Sequence, residues 1–178
     1  MSSTKIAVAV VVALLLQLLI ASYLRFERFD LGYLDLVLIV TVYASFSRDP
    51  LWAMLVGASA GLVQDSFSGG ILGTQSFIKT VIAFLAGSLS VHIALDNPLP
   101  RLIVMAGASI VSGLIFVGLH ALFGIRLVPQ PVEDSLVHHL GWQLLANVVG
   151  AAFIFRLLDT FMRGQEGRRE RRPSHVRS

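Results

Sequence analysis

The chain has 178 residues, 55% of them hydrophobic and only 14% charged, with a mean hydropathy of +0.76. A soluble domain carries an apolar share of roughly 45–50%, so the composition is that of an integral membrane protein. At about 20 apolar residues per crossing helix the length holds about six spans and no soluble catalytic module. The net charge is +3, and the absence of cysteine excludes a disulfide framework, a thiolate nucleophile and a cysteine zinc site.

The first span runs from Lys5 to Leu24, broken only by Gln17. Its apolar part exceeds the ~7–15 residues of a signal-peptide core, and no clear small-residue cleavage site follows before Arg25, so it reads as a retained anchor. Arg25, Glu27, Arg28 and Asp30 make a short polar loop. A second span covers 31–46 and ends at Ser47-Arg48-Asp49-Pro50, where proline suits the first turn of a new helix because its missing N–H costs nothing there. The third span, 51–63, is short. It stops where the chain turns polar and glycine-rich, from Gly61 through Gln64, Asp65, Ser66 and Ser68 to Gly69, Gly70 and Gly73. That stretch is either a tight turn near the bilayer edge or a site.

The fourth span resumes at Ile71 and reaches Leu95, interrupted by Lys79; Asp96-Asn97-Pro98 then breaks the helix. A fifth covers 102–123. The longest loop, 124–139, carries Pro129, Pro131, Glu133 and Asp134, and the sixth span covers 140–158. Residues 1–160 thus form a six-helix transmembrane domain. Residues 161–178 form a basic, disordered tail holding Arg163, Arg168, Arg169, Arg171, Arg172 and Arg177.

Counting basic residues per side, Lys5, Arg48, Arg101 and the tail arginines oppose Arg25, Arg28 and Arg126, which puts both termini in the cytoplasm. Asp65 and the proline-containing loop then face the other side. The tail is suited to anionic lipid or an acidic partner.

Helices in a membrane associate by close backbone approach and a few hydrogen bonds. Small residues four apart line one face of the third span at Ala53, Gly57 and Gly61, and of the fourth at Ser76, Thr80, Ala83 and Gly87. Ser109 with Gly113, and Asn147 with Gly150 and Ala151, give shorter versions on the fifth and sixth. These faces pack the bundle, and any left over would receive a partner's span.

A charge at bilayer depth costs about 2.5–3.5 kcal/mol on the lenient scale, so Asp35, Asp65 and Lys79 need partners or water. Asp35 sits about one turn into its helix. Lys79, roughly 12 Å down its helix at ~1.5 Å per residue, has three readings: an ion pair with Asp65 or Asp35, snorkelling, or part of an anion or proton path.

Chemistry finds little footing. His138 and His139 are adjacent and diverge by about 100° on a helix, while His92 and His120 stand singly near span ends. No nucleophile elbow, phosphate-binding loop or paired-carboxylate motif appears, and no catalytic, cofactor or metal residue is expected.

The run from Gly61 to Gly73, with its Gly-x-x-x-Asp, the serine and glycine turn and Leu72-Gly73 opening the next helix, and with Gly87 beyond, resembles the signature of the rod shape-determining protein MreD family. Length, span layout and basic tail agree with that likeness. It implies a bacterial inner-membrane component of the wall-elongation machinery, without chemistry of its own. The implied partners are MreC, MreB, RodA, a class B penicillin-binding protein and the lipid bilayer, with no nucleic acid. The likeness also implies a helical fold similar to the substrate-binding subunits of energy-coupling-factor vitamin transporters. That keeps a second expectation open, a transporter subunit with Lys79 and Asp65 or Asn147 converging on a polar pocket.

Overall fold

The computed structural model describes residues 3–23, 25–26, 29–30, 33–68, 72–93, 97–124 and 132–163. Its helices are α1 (Ser3–Tyr23), α2 (Leu36–Ser45), α3 (Pro50–Ser68), α4 (Thr74–His92), α5 (Pro98–Leu122) and α6 (Val132–Arg163). A two-stranded antiparallel ribbon, β1 (Arg25–Phe26) with β2 (Phe29–Asp30), stands where a polar loop is expected. Side chains are described for fewer residues; those of 3–4, 20–32, 68, 132–137, 139 and 162–163 fall outside the description.

Among the described residues three stretches are long and apolar enough to cross a membrane: Thr74–His92, Pro98–Leu122 and Leu140–Phe161. The apolar parts of α1 and α2, Lys5–Leu19 and Leu36–Ser45, are shorter. The protein is therefore a predominantly helical membrane protein, with three stretches among the described residues that are long and apolar enough to span by themselves.

Helix α2 departs furthest from expectation. Hydropathy predicts a span over 31–46, yet the helix has 10 residues, about 15 Å at ~1.5 Å per residue. It begins late because Asp35 is its N-cap, accepting a hydrogen bond from the Leu38 N–H at 2.9 Å, and not a residue one turn inside. All ten of its residues are buried. Leu38, Ile39 and Val42 pack with Ile78 and Ile82 of α4, Met105 and Ala108 of α5, and Ala151 and Phe155 of α6. On the other side Val37, Val40 and Ala44 meet Leu14, Ala13 and Ile6 of α1, and α3 joins through Val56 and Ala60. The apolar rim of the bundle wraps around this one short rod.

The turn into α3 is sharp. Arg48 takes a left-handed backbone conformation (φ 61°), Asp49 accepts from the Trp52 N–H at 3.0 Å, and Pro50 opens the helix. Helix α3 does not stop at Val63 but continues to Ser68, because Asp65 and Ser66 find partners without leaving the helix: Ser66 Oγ donates to the Leu62 carbonyl at 2.9 Å. Gly69, Gly70 and Ile71 lie outside the described residues, and α4 starts at Thr74, three residues later than hydropathy suggests.

Helices α3 and α4 form a hairpin with backbones nearly touching. A Cβ on Gly57 would stand 2.5 Å from the Lys79 carbonyl oxygen, and one on Gly61 2.5 Å from Ser76 Cα. Gly87 faces Pro50 Cα at 3.0 Å by the same measure, while Ala53 and Ala83 are wholly buried. Ser76 Oγ crosses the seam to the Ala58 carbonyl at 2.9 Å, and Thr80 Oγ1 returns to the Ser76 carbonyl at 2.7 Å. Gly113 receives Leu140 of α6, and Gly150 receives Leu34. All these small residues therefore serve contacts inside the bundle.

Candidate functional site

Several buried polar side chains, Lys79, Ser109 and Asn147 among them, gather around the start of α2. There the chain is not yet helical, so its N–H and C=O groups need side-chain partners. Gln17 of α1 supplies two: its Nε2 donates to the Leu34 carbonyl at 3.0 Å and its Oε1 accepts from the Leu36 N–H at 2.8 Å. Asn147 of α6 accepts from the Asp35 N–H at 2.9 Å and donates to Ser109 Oγ of α5 at 3.0 Å. Both Asn147 and Ser109 are buried.

The Asp35 carboxylate caps α2 with one oxygen and meets Lys79 with the other. Lys79 Nζ lies 2.8 Å from Asp35 Oδ2 and 2.9 Å from Gln75 Oε1, one turn earlier on α4. The Lys79 side chain is 0% exposed and that of Asp35 13%, so neither charge snorkels. A buried ion pair survives when its geometry is good and its remaining atoms are hydrogen-bonded; here the cap and Gln75 complete it.

Asp65 does not reach Lys79. It turns to the first turn of α4, where Oδ2 accepts from the Gly73 N–H at 2.9 Å and the Ser76 N–H at 3.1 Å, and Oδ1 from the Gln75 N–H at 3.0 Å. Gly73 adopts φ 97°, which a glycine holds without strain. One carboxylate on α3 thus satisfies three orphan donors of the next helix and complements its positive end. Gly61, one turn before Asp65, lets the two helices approach closely enough for this.

At the opposite end of the bundle Asp159 of α6 accepts from Tyr43 Oη at 2.8 Å and from Arg101 Nη1, which spans both carboxylate oxygens at 3.1 and 2.8 Å. The Arg101 guanidinium also lies over the Phe46 ring at 5.8 Å, beside a cluster of Tyr43, Phe46 and Phe155. Sequence reading singled out neither this cluster nor the roles of Gln17 and Gln75. Gln17 carried a signal, as the one polar interruption of an apolar span; the other residues acquire their roles only from the fold.

Chemically, the polar centre holds positions and consumes charge. His92 and His120 each bond through Nδ1 to a carbonyl of their own helix, Ser88 and Phe116, at 2.9 Å, and Trp142 donates to His138 Nε2 at 2.8 Å. Among the described residues no three histidine, cysteine, aspartate or glutamate side chains group as metal ligands. Of the transporter expectation's residues, Lys79 and Asn147 both meet Asp35, while Asp65 is committed to α4.

No curated protein and no solved structure matches the chain, so the expected likeness to the vitamin-transporter subunits gains no structural counterpart. A protein family does match, over residues 3–164, and it is described as rod shape-determining protein MreD. That range takes in every described helix, the Asp35–Lys79 centre and the Asp65 cap alike, and so the chain belongs to the MreD family, whose role is in rod shape determination.

Proposed function

We propose that the protein is a non-enzymatic inner-membrane scaffold of the cell-elongation complex. It binds the transmembrane helix of MreC and supports lateral peptidoglycan synthesis, in company with RodA, a class B penicillin-binding protein and MreB. In this reading all six helices cross or enter the bilayer and both termini are cytoplasmic. The distribution of charge supports that orientation, because Lys5, Arg48, Arg101 and Arg156 lie on the helices and turn at the end where α1, α3 and α5 begin.

The observation that carries the scaffold reading is the outer face of α5. The small faces within the hairpin are consumed by the bundle, whereas Ile103, Gly107, Ile110, Leu114 and Gly118 all face outward, and a Cβ on Gly107 or Gly118 would meet nothing within 4 Å. Spacings of four and three between the first four match the seam of a left-handed helix pair. Glycines on a lipid-facing surface lower helix propensity by about 1 kcal/mol each, a cost that close approach of another helix offsets. The reading as a small-molecule-binding transporter subunit has less support, since Lys79 is spent on Asp35 and Asp65 on the first turn of α4.

The test is direct. Gly107→Leu with Gly118→Leu leaves the bundle intact, because the new side chains point into open space, yet blocks a close-packed partner. MreC should be lost from native co-purification of the tagged variant, and cells carrying it should round up. Retention of MreC with normal rods removes this face from the proposal, and rod-shaped growth of a deletion strain removes the function itself.

A further inference from the structure

The outer face of α6 carries a charge that the bundle does not use. Arg156 is exposed, and its guanidinium forms no hydrogen bond or ion pair among the described residues. Leu145, Val149, Ala152 and Arg156 follow one another at spacings of four, three and four, and at about 100° per residue they fall within about 60° of one another. All four are exposed, and the opposite side of the helix holds Asn147 and Ala151, both wholly buried. Arg156 thus stands on the line of α6 farthest from the core.

Two measures place that charge inside the hydrocarbon layer. The apolar span of α6 is Leu140–Phe161, and Arg156 comes before its end by about 7.5 Å at ~1.5 Å per residue. Near the other end Trp142 is exposed, its indole donating to His138 Nε2 at 2.8 Å, and indoles gather at the headgroup boundary. From Trp142 to Arg156 is about 21 Å along the helix, which falls about 9 Å short of the far side of a ~30 Å layer. Tilting the helix lengthens the shortfall.

A cation at that depth needs an anion beside it. Among the described residues the bundle supplies none. Asp159, one turn on, gives its oxygens to Tyr43 and Arg101, and the Thr160 hydroxyl donates to the Arg156 carbonyl at 2.9 Å. Lipid phosphates lie beyond the hydrocarbon edge. Because the Cα–Cβ bonds of a helix tilt toward its N-terminus, the stem of Arg156 sets out toward the middle of the bilayer and away from the nearer headgroups. A carboxylate on a neighbouring helix arrives at the right depth. Ala152, one turn earlier, leaves room for it beside the guanidinium, and the spacing of the four residues matches the seam of a left-handed helix pair.

We propose that the outer face of α6 is a docking surface for the transmembrane helix of another protein, one whose aspartate or glutamate lies within the bilayer and pairs with Arg156. The surface is distinct from the α5 face and stands whether or not α5 receives MreC.

A photocrosslinking residue, p-benzoylphenylalanine, placed at Val149 of the full-length protein in its native membrane tests it. The label should capture one discrete protein through a transmembrane segment, and that segment should hold an acidic residue about two turns from the crosslinked position, the separation of Val149 and Arg156. Arg156→Gln should cut the adduct about tenfold or more, as loss of one member of a desolvated charge pair does. Arg156→Glu should abolish it, and changing the partner's acid to lysine should bring it back, a rescue that a packing effect does not give. Both variants should reach wild-type amounts in the membrane, because the Arg156 side chain bonds to nothing in the bundle. Gly107→Leu with Gly118→Leu should leave the adduct unchanged. A yield indifferent to Arg156, a captured segment without an acidic residue, or loss of the adduct in the α5 double variant would each overturn the surface. So would adducts to lipid alone, which assign the charge to a phosphate.

Discussion

Gly61→Ala places a single methyl group at the tightest point of the α3–α4 hairpin. The added carbon falls 2.5 Å from Ser76 Cα and 2.6 Å from the Gln75 carbonyl oxygen and the Ser76 nitrogen. Carbon pairs are comfortable at about 3.5–4.0 Å, so the shortfall is about 1 Å or more, and every atom in the way is backbone. Only separation of the helices relieves it. Overpacking of this kind costs about 1–3 kcal/mol. Moving α4 away by even half that distance also stretches the three Asp65 contacts, now 2.9–3.1 Å, to the outer edge of hydrogen-bonding range, where they weaken. Bonds to a charged group contribute about 1.5–3 kcal/mol, so a total near 3 kcal/mol, roughly a hundredfold in the folded ratio, is expected. Gly107→Ala is the matched control: its methyl meets nothing within 4 Å and gains helix propensity, stabilising by about 1 kcal/mol. Unfolding in mixed micelles with rising dodecyl sulfate, followed by Trp52 and Trp142 fluorescence, measures both. The reasoning fails if Gly61→Ala unfolds at the same detergent fraction as the wild type, or if the two substitutions shift it in the same direction.

Other consequences follow from the polar centre. Lys79→Met or Asp35→Asn alone leaves a buried charge without its partner and should cost about 3–5 kcal/mol, whereas the double variant should recover most of that loss; strictly additive losses in the same unfolding assay would contradict the pairing. Asp65→Ala strips three N–H groups of their acceptor and should destabilise by about 2 kcal/mol or more, with hydrogen exchange accelerated at Gly73, Gln75 and Ser76 ahead of the rest of α4. Asp159→Asn, at a site whose side chains are 20% and 33% exposed, should cost no more than about 1 kcal/mol and leave the amount of folded protein in the membrane unchanged.

The sequence made the helices legible, because apolar runs and breakers such as Asp96-Asn97-Pro98 are local signals. Where it misled, the cause was tertiary. The start of α2 is hidden in hydropathy because Leu31, Tyr33 and Leu34 extend the apolar run across Gly32 and Asp35; what ends the need for a helix at Leu34 is a pair of amides arriving from Gln17 and Asn147. Helix α3 outruns its apolar stretch because Asp65 exchanges water for three N–H groups of the following helix. Lys79 stood out as a cation at depth, but choosing between two carboxylates required knowing that Asp35 is a cap pointing inward and Asp65 a cap pointing along the hairpin.

The position of α2 also sets an order on biosynthesis. A helix of about 15 Å with an aspartate at its head is a poor substrate for insertion by itself, and the groups that settle it are made later: Lys79 comes 44 residues after Asp35 in the chain and Asn147 112 residues after it. Until α6 leaves the ribosome the Asp35 N–H waits for its acceptor, so the centre of the protein is the last part to become final. Chains truncated before Asn147 should therefore be recognised as unfinished and cleared by membrane proteolysis, although the five helices before α6 have all been made.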